Sequence, residues 1–197
     1  YRGVCMAYVL SISNQKGGVG KTTSAINLAC CLAMKGYRTL LIDLDPQSNS
    51  TSGLGIYDKS DKMTSYDVLF DSSKMTDSIV ETVYPSLSLL LSDQDLSGAE
   101  VELVNEFGRE YRLKEAIAEV SELYDYIVID TPPTLGLLTV NALSASDGVL
   151  IPTQSEYYAL EGLSQLLKTV DIIKKRLNQG LEINGLLVTM FHKRNKQ

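Results

Sequence analysis

Short apolar runs alternate with amphipathic stretches along nearly the whole chain. The runs lie at 8–13, 39–42, 87–91, 126–130, 148–152 and 183–190. Each is continuous and almost free of charge, the pattern of strands covered on both faces of a parallel sheet. Helical patterns fill the intervals. The first, about 22–35, offers Ile26, Leu28, Ala29, Leu32 and Ala33 for burial and meets a stop at Gly36. The second, 96–121, is charged and broken near Gly108, and a third covers about 135–145. The last, about 159–177, spaces Leu160, Leu163, Leu166, Leu167, Val170 and Ile173 along one stripe. Segment 48–86 is polar, with helical hints at 66–70 and 77–83 and no evident chemistry. The alternation predicts a single α/β domain with a doubly wound, mostly parallel sheet.

The chemistry concentrates where the first strand meets the first helix. Residues 14–23 read NQKGGVGKTT. A strand, a glycine loop and a helix in that order form a phosphate-binding loop, because the glycine N–H groups turn toward phosphate oxygens at no steric cost. The candidate nucleotide contacts are Gly17, Gly18, Val19, Gly20, Lys21, Thr22 and Thr23. Lys21 supplies a positive charge for the outer phosphates, and Thr22 a hydroxyl for Mg²⁺. The general template places a glycine where Gln15 stands; here an additional lysine, Lys16, directly precedes the glycines. The competing reading is a glycine-rich turn with two solvated lysines, and the flanking strand and helix argue against it.

Two later runs end in carboxylates. Residues 39–42 lead into Asp43-Leu44-Asp45-Pro46, and 126–129 into Asp130. Open α/β sheets hold ligands at the carboxyl ends of their strands. Asp130 fits the acid that helps hold Mg²⁺ opposite Thr22. Such an ending is weak evidence alone and strong evidence in a chain that also carries a phosphate loop.

Composition narrows the function classes. With 197 residues, 44% hydrophobic and 21% charged, the chain is long enough for one α/β domain and argues against disorder. No apolar run approaches the ~20 residues of a membrane span, and 14–21 interrupts any secretory signal. Met6-Ala7 reads as a native start for a domain over 6–197, with 1–5 as upstream or added sequence. Cys5, Cys30 and Cys31 suggest buried free thiols rather than a disulfide or metal framework. The net charge of −6 argues against nucleic-acid binding through the whole surface. Segment 93–125, with ten acidic residues against three basic, is a poor candidate for touching DNA. Basic groups gather instead at Lys168, Lys174, Lys175 and Arg176, and at 192–196. A solvated helix face is the plain alternative for the first group, and an exposed side chain for the lone His192.

Four stretches together carry a family resemblance: KGGVGKTT, DLDPQSNSTSGLG at 43–55, IVIDTPPTLGLLTVNAL at 127–143 and PTQSEYYALEGLSQLL at 152–167. They resemble the ParA/Soj-type chromosome and plasmid partition ATPases of the MinD/ParA superfamily, over nearly all of 8–190. That resemblance implies a P-loop NTPase fold, ATP and Mg²⁺ as cofactors, and slow hydrolysis in the absence of a partner. It implies an ATP-dependent homodimer in which Lys16 reaches the partner's phosphates, with Asp45 positioning water and Asp43 supporting the Mg²⁺ shell. Lys16, Asp45 and Lys21 are then the catalytic set, and Thr22, Asp43 and Asp130 the metal set. It further implies non-specific DNA binding, stimulation by a ParB-type centromere-binding protein, and a cytoplasmic, nucleoid-associated location with no membrane contact. Arg194 falls where the family places a DNA-binding arginine, although His192 departs from the usual aspartate; Lys174, Lys175 and Arg176 are further candidates. The family pattern continues past residue 197, so the C-terminal part is expected to be missing. Two alternatives stand beside this reading: a division-site or polar-positioning ATPase of MinD type, and a nucleotide-gated regulator with little catalysis. The nitrogenase iron-protein branch is excluded by its need for cluster cysteines that Cys5, Cys30 and Cys31 do not provide.

Overall fold

The computed structural model describes residues 6–155 and 159–190, with side chains throughout these except at 159–161. Its strands are β1 (Tyr8–Ile12), β2 (Thr39–Asp43), β3 (Ile79–Glu81), β4 (Leu87–Leu90), β5 (Tyr126–Asp130), β6 (Gly148–Gln154) and β7 (Glu182–Thr189). They form one sheet in the order β3-β4-β2-β5-β1-β6-β7. All neighbours are parallel except β3 and β4. The helices are α1 (Lys21–Met34), α2 (Asn49–Gly53), α3 (Ser65–Phe70), α4 (Met75–Ser78), α5 (Leu96–Glu102), α6 (Arg112–Ala118), α7 (Leu137–Ala145) and α8 (Ala159–Arg176).

Both faces of the central strands are covered, which is why they read as unbroken apolar runs. Leu40 and Ile42 of β2, with Ile127 and Ile129 of β5, join one core with residues of α3, α5, α6 and α7. Leu41 and Val128, on the opposite face of the same strands, join a second core under α1. α1 buries Ala25, Ala29 and Ala33, one residue per turn, while Ile26, Leu28 and Leu32 are only partly buried. Small residues on that line let the helix lie close to the sheet. A larger side chain there, such as Ala29→Leu, costs about 1–3 kcal/mol by overpacking.

Several sequence expectations need correction. Residues 77–83 are not a helix: α4 stops at Ser78, and β-branched Ile79 and Val80 enter β3, which pairs antiparallel with Leu90 and Leu89. α2 was not foreseen. Segment 96–121 breaks as expected, into α5 and α6 on either side of Gly108. The 183–190 run does form a strand, β7, and among the described residues its Ile183, Leu186, Leu187 and Val188 are 39–52% exposed. On α8, Leu166, Val170 and Ile173 are buried but Leu167 is exposed. Cys31 is exposed and Cys30 half-buried, so neither is the buried thiol expected.

The sheet order fixes the site. β1 lies between β5 and β6, so the loop that leaves it emerges beside the ends of β5, β2 and β6. In register, Asp130 pairs with Ile12 on one side and with Asp43 on the other. The two strand-terminal carboxylates are therefore neighbours across the sheet, next to the exit of the phosphate loop.

Candidate nucleotide site

A cleft of about 360 Å³ opens at this edge, lined by Gly17, Gly18, Gly20, Lys21, Thr22, Thr23, Asp45, Gln47, Asn49, Pro133 and Met190. Its floor is the glycine loop. Gly18 and Gly20 hold φ values of 71° and 89°, a region that strains any residue with a Cβ. Gly20 is also the N-cap of α1, and no side chain caps that helix end. With no acidic residue in its first turn, α1 presents N–H groups and the positive end of its dipole to an anion in the cleft. Asn14 steadies the loop entrance, its Nδ2 donating to Pro152 O at 2.7 Å and its Oδ1 accepting from the Lys16 N–H at 3.0 Å.

Lys21 is 7% exposed, and its Nζ donates to Lys16 O at 3.1 Å. Burial lowers its pKa, and the charges of Asp130 and Asp45 oppose that shift. Asp130 is fully buried and its pKa rises to about 7, chiefly through desolvation and then the nearby Asp43; hydrogen bonding by Ser50 and Thr22 offsets part of this. Ser50 Oγ donates to Asp130 Oδ2 at 2.7 Å, whereas Asp130 Oδ1 is buried with no hydrogen-bond partner among the described residues. An orphaned carboxylate oxygen beside a threonine hydroxyl and a phosphate loop fits a divalent cation. Among the described residues no three His, Cys, Asp or Glu side chains form a metal cage. Mg²⁺ is typically held by one or two protein groups together with phosphate oxygens and water. Thr22 and Asp130 are the groups that would hold it.

Asp43 is differently employed. Its Oδ1 accepts from the Asp45 N–H at 3.2 Å, and its Oδ2 accepts from both the N–H and the hydroxyl of Thr51 at 2.8 and 2.7 Å. Its pKa rises to about 6 through burial, held in check by those Thr51 and Asp45 hydrogen bonds. Asp43 thus braces the turn that carries Asp45, and it does not line the cleft. Asp45 does line it; its Oδ1 accepts from the Gln47 N–H at 2.9 Å and its carbonyl from Ser92 Oγ at 2.7 Å.

Sequence reasoning missed Ser50 and Thr51, which orient the two buried carboxylates. The available signal was a hydroxyl-rich run, Ser48 to Ser52, at a short fixed distance after the Asp43-Leu44-Asp45-Pro46 turn.

Lys16 stands at the rim of the cleft, where its Nζ donates to Gln154 Oε1 at 3.1 Å. The structure does not bring the basic candidates to the cleft. Lys174, Lys175 and Arg176 occupy the last turn of α8, which leads into the start of β7 and so lies at the opposite edge of the sheet. Lys175 pairs with Asp171 at 2.7 Å. Arg194 and His192 fall outside the described residues. Among the described residues no helix is long and apolar enough to cross a membrane.

A family model described as an AAA domain matches residues 7–183. The sporulation initiation inhibitor protein Soj of Bacillus subtilis is 53% identical over 96% of this chain and 75% of its own length. Among solved structures, a cobyrinic acid a,c-diamide synthase from Mycobacterium smegmatis with bound ADP and magnesium superposes with a TM-score of 0.91. It is 38% identical and covers 96% of this chain and 77% of its own. A plasmid partition protein from Borrelia burgdorferi gives a TM-score of 0.83 at 34% identity, over 96% of this chain and 81% of its own. Bound ADP and magnesium in the first neighbour agree with the uncapped helix end and orphaned carboxylate seen here. Matched by that family model over 7–183 and, over 96% of its length, 53% identical to Soj, the chain belongs to the ParA/Soj family of P-loop partition ATPases.

Proposed function

We propose that the protein is an ATP-hydrolysing DNA-segregation switch. ATP with Mg²⁺ occupies the cleft, two copies close face to face around it, and the closed dimer holds non-specific duplex DNA. A ParB-type centromere-binding partner stimulates hydrolysis and release. The switch works in the cytoplasm, on the nucleoid. The observation that carries this reading is the placement of Asp45, which faces the cleft while Asp43 is turned away onto Thr51.

Phosphoryl transfer needs positioning and electrostatic stabilisation rather than a nucleophilic side chain. Lys21 and the α1 N-terminus hold the outer phosphates, and Thr22 and Asp130 keep the metal side of the cleft. Mg²⁺, when bound, neutralises charge on the phosphate oxygens. Asp45 orients the attacking water. Lys16, already at the rim, supplies a second cation to the phosphates of the partner copy, as an arginine finger does. A purely regulatory module would have no use for a carboxylate at Asp45 lining the cleft. The amide-synthase name of one structural neighbour does not transfer, since fold likeness does not fix function.

The test is ATP-dependent binding to non-specific duplex DNA at two salt concentrations, with wild type, Asp45→Ala and Lys16→Ala. Persistent binding by Asp45→Ala, loss by Lys16→Ala and steep weakening with salt are expected. ATP binding by all three without any DNA binding would sink the segregation reading and advance the membrane-positioning or regulatory ones.

A further inference from the structure

The glycine loop is gripped from outside as well as shaped from within. Three of its carbonyls accept hydrogen bonds from side chains: Lys16 O from Lys21 Nζ, Gly18 O from Gln154 Nε2 at 3.3 Å, and Val19 O from Thr189 Oγ1 at 2.8 Å. Lys21 belongs to the loop's own motif. Gln154 and Thr189 do not; they are the last residues of β6 and β7. Holding a carbonyl outward leaves the following N–H free to point inward, so this clamp sets the donors that a phosphate needs.

Thr189 uses both branches of its side chain. Its hydroxyl holds Val19 O, with Thr153 O 3.3 Å away, while its methyl sits 3.4 Å from where a Cβ on Gly20 would be. Val19 itself is buried, so the loop is fixed at that residue from the β7 side as well as from the core. Met190, the next residue, lines the cleft and places its Sδ 3.0 Å from Gln154 Nε2. The tips of β6 and β7 thus meet the loop at consecutive residues. Among the described residues β7 is the last strand of the sheet on that side.

We propose that Thr189 is a positioning residue for phosphate binding, and that with Gln154 it couples occupancy of the glycine loop to the end of β7. The inference rests on the nucleotide-binding reading of the cleft and adds residues outside its motifs. A bound nucleotide, by fixing the loop, fixes the Val19 carbonyl and through Thr189 the tip of β7.

The test uses the full chain with a fluorescent ATP analogue, Mg²⁺ and the variants Thr189→Val and Thr189→Ser. Valine keeps the shape and the β preference but has no hydroxyl; serine keeps the hydroxyl without the methyl. Thr189→Val is expected to bind roughly 3- to 10-fold more weakly, with KM raised and kcat within about twofold, and Thr189→Ser to recover most of the affinity. Hydrogen exchange supplies a readout that a merely structural role would leave unmoved. A non-hydrolysed ATP analogue should slow amide exchange at 186–190 in wild type and Thr189→Ser but not in Thr189→Val. Equal affinity and equal protection in wild type and Thr189→Val would overturn the proposal alone. Failure of the wild type to bind any nucleotide would overturn the ATPase reading, and this proposal with it.

Discussion

On the β2–β5 side of the cleft every residue from Thr39 to Asp43 is buried, whereas on the β6–β7 side the outer strand exposes most of its length. Each side holds part of the same nucleotide site. The first carries Asp43 and Asp130 on strands packed from both faces, and Asp45 on the turn braced by Asp43, so their geometry is set before any ligand arrives. The second carries Gln154 at the end of β6 and Thr189 at the end of β7, and among the described residues β7 has few buried contacts to resist opening. Preorganised charge belongs on the rigid side, since catalysis depends on donors and acceptors that need not move. A part that reports whether the cleft is filled belongs on the looser side, because only an element with a low opening free energy is reset by a ligand.

The largest expected effect lies on the rigid side. Lys21→Ala removes a buried ammonium flanked by Asp130 and Asp45. Charge-assisted hydrogen bonds are worth about 1.5–3 kcal/mol, so nucleotide affinity should fall roughly 10- to 150-fold. Lys175→Ala is the control, an exposed i,i+4 ion pair with Asp171 worth about 0.3–0.5 kcal/mol at most. Its nucleotide affinity should not change. Titration of both variants with a fluorescent ADP analogue checks the pair, and similar losses would show that total charge, not the cleft, governs binding.

Hydrogen exchange tests the comparison without mutation. Amides of β5, covered on both faces, should exchange only through global unfolding. Those of β7, hydrogen-bonded to β6 and mostly exposed, should exchange at least roughly 10-fold faster in the ligand-free protein. Equal protection of the two strands would remove the contrast between the sides.

What the sequence disclosed divides along the same line. The phosphate loop, its strand and helix, and the aspartates at the ends of β2 and β5 were legible because each depends on local pattern: glycines at fixed spacing, apolar runs, a terminal acid. Ser50 and Thr51 escaped notice because their partners, Asp130 and Asp43, are set by the folding of α2 back over the strand ends. Thr189 lies 170 residues from Val19 along the chain, and nothing near either residue signals the contact.

The residues that sequence reading missed are the next test. Ser50→Ala strips the hydroxyl from Asp130 Oδ2 and leaves a fully buried carboxyl with Thr22 alone beside it. Thr51→Val does the same to one of the two Thr51 bonds on Asp43. An unsatisfied buried group costs about 1–3 kcal/mol, so both variants should unfold at lower urea, with Ser50→Ala the more damaging. Wild-type midpoints for both would mean that the carboxyls are oriented by packing alone.

The same carboxyls also predict a pH dependence. Asp43 and Asp130, with ordinary values of 3.8, are raised to about 6 and about 7 in the ligand-free fold. The native state therefore binds more protons than the unfolded chain between roughly pH 4 and 7, and stability contributed by these two groups falls as pH rises through that window. Mg²⁺ with nucleotide favours the ionised carboxylates and acts in the opposite direction. Asp130→Asn removes the larger of the two shifts, so its urea midpoint should change less between pH 5 and 7.5 than that of the wild type. It should also lose the stabilisation that Mg²⁺ adds in the presence of ADP. Parallel wild-type and variant pH profiles would mean that Asp130 is ionised before the metal arrives, and that the rigid side of the cleft carries its charge at no cost to the fold.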